Sequence, residues 1–200
     1  PSYYRGDNNM RILFLLSLFV GCNVGGDVDT SKDAPEEESP ITWDECSYRI
    51  GEHICDLDLV DQNADTFNLY SHYGQPLIID LSAMWCAPCN QSAPWADVFV
   101  QKYAEDDLVW ATILIEDESG NEPDGADLAR WVETHEIDDS YVLKGSRDLI
   151  DLAGVVGFPL TSWPTFVFVT DEMVIYHCVA GWSEEYMNQK LTEMLVINPE

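Results

Sequence analysis

Two cysteines separated by two residues, Cys86 and Cys89 in Trp85-Cys86-Ala87-Pro88-Cys89, are the groups in this 200-residue chain best placed to do chemistry. One thiolate can attack a disulfide, and the second can resolve the mixed disulfide that forms. Attack needs thiolate rather than thiol, so the first sulfur must sit where partial positive charge favours the anion. A helix N-terminus provides that charge. Two thiols at this spacing can also be half of a zinc site, and the surrounding elements decide between the readings. Leu77 to Leu81 is a nearly continuous apolar run, the pattern of a strand buried on both faces of a sheet. A helix is expected to follow from Cys89 to Ala104, with Trp95, Val98 and Phe99 on one face. The pair therefore stands at a strand-to-helix junction, the setting of a redox dithiol.

These residues resemble the active site of thioredoxin-like proteins, whose usual form is Trp-Cys-Gly-Pro-Cys. Asp80, six positions before Cys86, matches the buried acid of that family. Pro94 matches the proline that kinks the active-site helix, and Trp163-Pro164-Thr165 resembles the cis-proline loop that faces the cysteines. The likeness runs over roughly residues 55 to 197 and is nearest to the membrane-tethered TlpA/ResA-type redoxins. It implies an α/β, thioredoxin-like fold: a central mixed β-sheet flanked by helices, with an N-terminal β-hairpin extension. A further helix is expected to be inserted between the second core strand and the cis-Pro loop. It also implies roles. Cys86 is the attacking thiolate and Cys89 the resolving thiol. Asp80 is a base whose burial raises its pKa towards neutrality. Trp85, Trp163 and Pro164 would receive the substrate, and the bulk of Trp163 would restrict which partners fit. The strand lysine usual in the family aligns with Thr112.

Around the motif, Leu57 to Val60 and Thr66 to Leu69 read as a hairpin, and Leu108 to Ile115 as an apolar strand interrupted only by Thr112. Ala126 to His135 reads as a helix with Leu128, Trp131 and Val132 on one face. Tyr141 to Leu143 and Leu149 to Ala153 are short elements. Phe166 to Val169 and Met173 to Val179 are paired antiparallel strands, ended by Gly181, and Ser183 caps a final helix to about Val196.

The chain has six cysteines. Cys46 and Cys55 close a short loop and are expected to form a structural disulfide in an oxidising compartment; two unpaired thiols or a second redox pair are the alternatives. Cys178 lies in an apolar strand and reads as a buried, inert thiol. No metal is expected: the four histidines, His53, His72, His135 and His177, are scattered, and zinc would need two more ligands beside Cys86 and Cys89. A copper-delivery role expects wider cysteine spacing, and a c-type haem site expects His where Asn90 stands. A thiol peroxidase would carry Thr at the place of Ala83. The only redox group expected is the Cys86–Cys89 disulfide itself.

The formal charge of −28 excludes nucleic acid as a partner, since phosphate would be repelled. Met10 is the expected initiator, and Ile12 to Val20 an apolar segment too short to span a bilayer, which needs about 20 residues. It runs into Leu18-Phe19-Val20-Gly21-Cys22, which resembles a bacterial lipobox with Cys22 as the lipidated residue. An ordinary signal peptide and a buried strand are the alternatives. Residues 1–21 are thus expected to be upstream sequence and a signal peptide. Residues 22–40, rich in acid, Gly and Pro, are expected to be a disordered tether, and 41–200 the folded domain. The resulting expectation is a monomeric, lipid-anchored, extracytoplasmic thiol–disulfide oxidoreductase. Its partners would be protein thiols and disulfides and an electron donor not named by the sequence. A lipid-anchored binding module that keeps the fold without redox turnover is the second expectation.

Overall fold

The computed structural model describes residues 41–197. The expected signal segment, the Cys22 anchor and the tether through residue 40 lie outside the described residues.

Five strands form the central sheet: β3 (Leu77–Ala83), β4 (Val109–Glu116), β5 (Tyr141–Lys144), β6 (Thr165–Val169) and β7 (Ile175–Ala180). Their order is β5-β4-β3-β6-β7. β3, β4 and β5 run parallel, while β6 and β7 are antiparallel to their neighbours. Every residue of β3, β4 and β6 is buried, which is why these strands read as continuous apolar runs and not as alternating ones. A separate two-stranded hairpin joins β1 (Asp58–Val60) to β2 (Thr66–Asn68), with Leu59 opposite Phe67.

The α-helices among the described residues are α1 (Ala87–Ser92), α2 (Trp95–Lys102), α3 (Gly125–His135) and α4 (Glu184–Ile197). α3 is the insertion between β4 and the cis-Pro loop, and it opens on a capping box in which Asp124 and Asp127 satisfy each other's backbone N–H groups. Ser183 accepts the Tyr186 N–H and caps α4. The single helix expected from Cys89 to Ala104 is two helices, broken at Ala93 and Pro94, where a proline cannot continue the ladder. Ala96 and Phe99 face the core, and Val98, expected inside, is 46% exposed.

The helices gather on one face of the sheet. Ala96 and Phe99 of α2 and Met187, Leu191 and Met194 of α4 pack on Ile78, Trp110, Phe166 and Phe168. Leu128 and Trp131 of α3 pack nearer the cysteines, with Leu114, Val142 and Cys89. The opposite face carries Ile79, Leu81, Ile113 and Val167, and no α-helical residue joins that cluster among those described. Its cover is Tyr48, Ile54, Phe67 and Leu69 from the N-terminal extension, with Phe158 and Leu160 from the loop before β6. The Cys46–Cys55 disulfide ties down the start of that cover. Cys178, expected to be fully buried, is half-buried, because β7 is an edge strand.

Candidate active site

β3 ends at Ala83, and the chain turns through Met84 and Trp85 into α1. Cys86 is the N-cap of α1, in extended conformation, and its Sγ accepts the Cys89 N–H at 3.2 Å. That places the first sulfur at the end of a helix where unpaired N–H groups favour an anion. Cys86 is 3% exposed and Cys89 is wholly buried, so of the two only Cys86 presents any surface. The two are joined as a disulfide. Pro88 in the first turn costs no helical hydrogen bond, since those N–H groups have no partner in the helix.

Asp80 lies on β3, fully buried, with Thr112 of β4 beside it on one flank and Phe166 of β6 on the other. The strand register thus sets Thr112 directly next to the acid. Ser82 Oγ donates to Asp80 Oδ1 at 2.7 Å, and Thr112 Oγ1 donates to Oδ2 at 3.4 Å. The Trp110 indole N–H in turn donates to Thr112 Oγ1 at 3.2 Å, which leaves the threonine proton for Asp80. Burial pushes the Asp80 carboxyl up to about 7, and the two hydroxyl donors hold it back from rising further. The carboxyl therefore exchanges its proton near neutral pH, as a general base requires.

Trp163 and Pro164 lie in the loop before β6, and Trp163 packs against the cluster that holds Cys86 and Cys89. The Trp163–Pro164 peptide is cis, and the Pro164 carbonyl accepts the Gly181 N–H at 2.8 Å. The Trp85 and Trp163 rings meet edge to face, with centroids 6.1 Å apart. Trp85 is nevertheless 46% exposed, which leaves an aromatic surface beside the cysteines.

Two groups escaped the sequence reading. Glu116, the last residue of β4, is 3% exposed, accepts the Trp85 indole N–H at 2.7 Å, and forms an ion pair with Arg147. The available signal was an acid closing an otherwise apolar strand. Asn90, directly after Cys89, donates from its side chain to the Met84 and Cys86 carbonyls at 2.8 and 2.9 Å. No sequence pattern points to that contact, because it depends on how sharply the chain turns at Trp85. Cys46 and Cys55, joined to each other, stand apart from this constellation in the N-terminal extension. Among the described residues no cluster of His, Cys, Asp and Glu is arranged to hold a metal, and no helix is long and apolar enough to cross a membrane.

Residues 50–178 match the AhpC/TSA family. A thioredoxin of Coprinus comatus is 27% identical over 95 residues, which span 48% of this chain and 83% of that protein. Among solved structures, the exposed lipoprotein thioredoxin of Streptococcus pneumoniae superposes with a TM-score of 0.55 at 27% identity, covering 70% of this chain and 99% of the other. A thiol:disulfide interchange protein of the thioredoxin family from Chlorobium tepidum gives 0.57 at 17% identity, covering 76% and 99%; at that identity the likeness is one of fold.

Proposed function

The chain belongs to the AhpC/TSA family and is a thiol–disulfide oxidoreductase of thioredoxin-like fold, and on that premise we propose that Cys86 and Cys89 reduce protein disulfides outside the cytoplasm. The observation that carries this reading is the Cys86 sulfur at the N-cap of α1, bonded to the N–H of a buried Cys89, with a near-neutral acid on the strand that leads to them.

In the reduced protein the Cys86 thiolate attacks one sulfur of a client disulfide. A Cys86–client disulfide forms, and the other client sulfur leaves as thiolate. Asp80 takes the proton of Cys89, whose thiolate then attacks Cys86 Sγ and expels the second client sulfur. The client has gained two electrons, and the Cys86–Cys89 disulfide must be reopened by a donor dithiol. Trp85, Trp163 and the cis Pro164 form the surface on which the client lies. Ala83, three residues before Cys86, offers a methyl where a thiol peroxidase needs a hydroxyl, which favours disulfide exchange over peroxide reduction.

Cys22 is the proposed lipid anchor and residues 22–40 the tether, which would make the chain a monomeric membrane-bound redoxin. The likeness to the pneumococcal lipoprotein supports this placement. With Ala87 and Pro88 supplying no cation to the Cys86 thiolate, the couple is expected nearer thioredoxin's value of about −270 mV than the value of about −120 mV of a strong periplasmic oxidant.

An insulin-reduction assay tests the reading. The wild-type chain should turn over with dithiothreitol, and Cys86→Ser should be inactive. Cys89→Ser should accumulate a mixed disulfide through Cys86. Turnover that survives Cys86→Ser would remove the dithiol mechanism, and a potential above about −150 mV would reverse the proposed direction of electron flow.

A further inference from the structure

We propose that Asn90, held by His135, is a positioning residue that keeps the Cys86–Cys89 loop in its disulfide-ready form after the disulfide has opened; this rests on the redox reading above. Asn90 donates through Nδ2 to the Met84 carbonyl at 2.8 Å and to the Cys86 carbonyl at 2.9 Å. Its backbone N–H also donates to the Cys86 carbonyl, at 3.1 Å. The Met84 carbonyl lies in the peptide that enters Trp85 and the Cys86 carbonyl in the peptide that leaves Cys86, so one side chain ties together the two ends of the Trp85-Cys86 segment. It fixes the backbone of the Cys86 N-cap as well.

The remaining polar atom of Asn90, Oδ1, lies 3.1 Å from His135 Nε2. A carbonyl oxygen only accepts, so the imidazole carries its proton on Nε2 and donates. His135 closes α3, and its ring packs edge-on against the buried Trp131 at 4.3 Å. Both N–H bonds and the carbonyl of Asn90 are thereby engaged, and its orientation is set by a different helix from its own.

None of these bonds passes through sulfur. When the disulfide is reduced, the covalent tie across the loop disappears but the Asn90 bonds remain. A loop that keeps its shape holds the two sulfurs close, which raises their effective concentration for each other. The affected step is ring closure. The two thiols of Cys86 and Cys89 lose two electrons and two protons to an oxidised dithiol or glutathione disulfide, which leaves as two thiols.

The test equilibrates the full chain in glutathione redox buffers and reads the Cys86–Cys89 state by acid-quenched alkylation and mass. Asn90→Ala and His135→Phe should each lower the closure constant about tenfold, a rise of about 30 mV in potential. The double variant should match either single one, since both remove the same strap. His135→Gln, whose amide N–H can replace Nε2–H, should stay within about twofold of the wild-type constant. A constant unchanged in Asn90→Ala, even with a lowered Tm, overturns the proposal. Losses that multiply to about a hundredfold in the double variant do so as well, because they would reflect two independent structural defects. A wild-type pair that fails to cycle with glutathione takes down the redox reading too, whereas a cycling pair indifferent to Asn90 removes this inference alone.

Discussion

With its carboxyl raised to about 7 by burial, Asp80 makes stability depend on pH in the sense opposite to a salt-bridged carboxylate. Between its ordinary value of 3.8 and about 7, the folded chain holds a proton that the unfolded chain lacks. The contribution is therefore fully present below the lower value and is lost as pH rises through the upper one. Asp80→Asn keeps the shape and removes the ionisation. It should leave stability nearly unchanged at pH 4 and raise it at pH 8, by an amount on the order of 4 kcal/mol at most at about 1.4 kcal/mol per unit. Urea unfolding at the two pH values checks this, and equal gains at both would mean that the carboxyl is not held neutral by burial. The same variant should slow resolution and leave the first attack nearly intact, seen as a lingering mixed disulfide. At this scale the sequence showed Asp80, Cys86 and Cys89, because each sits at a fixed spacing in one stretch. It did not show Glu116 or Asn90, whose partners are joined to them only by the turn of the chain and the packing of β4 and α3.

Among the elements, β5 leads out of the sheet through Gly145, and the space there is already filled. A Cβ at that position would lie 2.5 Å from Ile113 Cγ2 and 2.9 Å from the Leu114 carbonyl oxygen. Gly145→Ala should therefore cost about 1 to 3 kcal/mol as an overpacking strain, measured by denaturant unfolding. An unchanged midpoint would mean that β4 and the turn yield without cost. β3, β4 and β6 were legible because complete burial leaves a nearly unbroken apolar run. α2 was legible as a helix but not in its phase. The expected face of Trp95, Val98 and Phe99 has the right spacing, but the buried stripe is Ala96 and Phe99, with Val98 turned outward, because a small Ala96 lets the helix sit close on the sheet. The cover of the second sheet face was the hardest part to read. It is built largely from irregular segments around Tyr48, Ile54 and Phe158, and irregular chain has no period to recognise.

For the whole molecule, that cover makes the Cys46–Cys55 disulfide more than a local clip. The bond closes a loop with a sequence separation of 9 and fixes the segment that carries Tyr48 and Ile54 onto the sheet. The chain-entropy relation gives about 2.5 to 3 kcal/mol for a loop of this size. The double variant Cys46→Ser/Cys55→Ser should lose about that much stability while retaining glutathione cycling at Cys86 and Cys89. Loss of cycling with stability intact would instead assign the pair a redox relay.

The half-buried thiol on β7 has a consequence for the fidelity of the disulfides themselves. A protein that exchanges disulfides and also carries an odd cysteine is exposed to an internal short circuit, in which the spare thiol attacks one of its own bridges and shuffles the pairing. Cys178 is the only unpaired cysteine among the described residues, and desolvation raises its pKa to about 11. At pH 7 only about one molecule in ten thousand then carries the thiolate, against about three in a hundred for a thiol at the free value of about 8.5. This insulation depends on β7 being docked on β6, so it is absent while the chain is still folding. In native conditions at pH 8, Cys178 should alkylate more than about a hundredfold more slowly than a free thiol, and in urea at the free-thiol rate. Fast native labelling would show that the edge strand opens often enough to let the spare thiol reach the bridges.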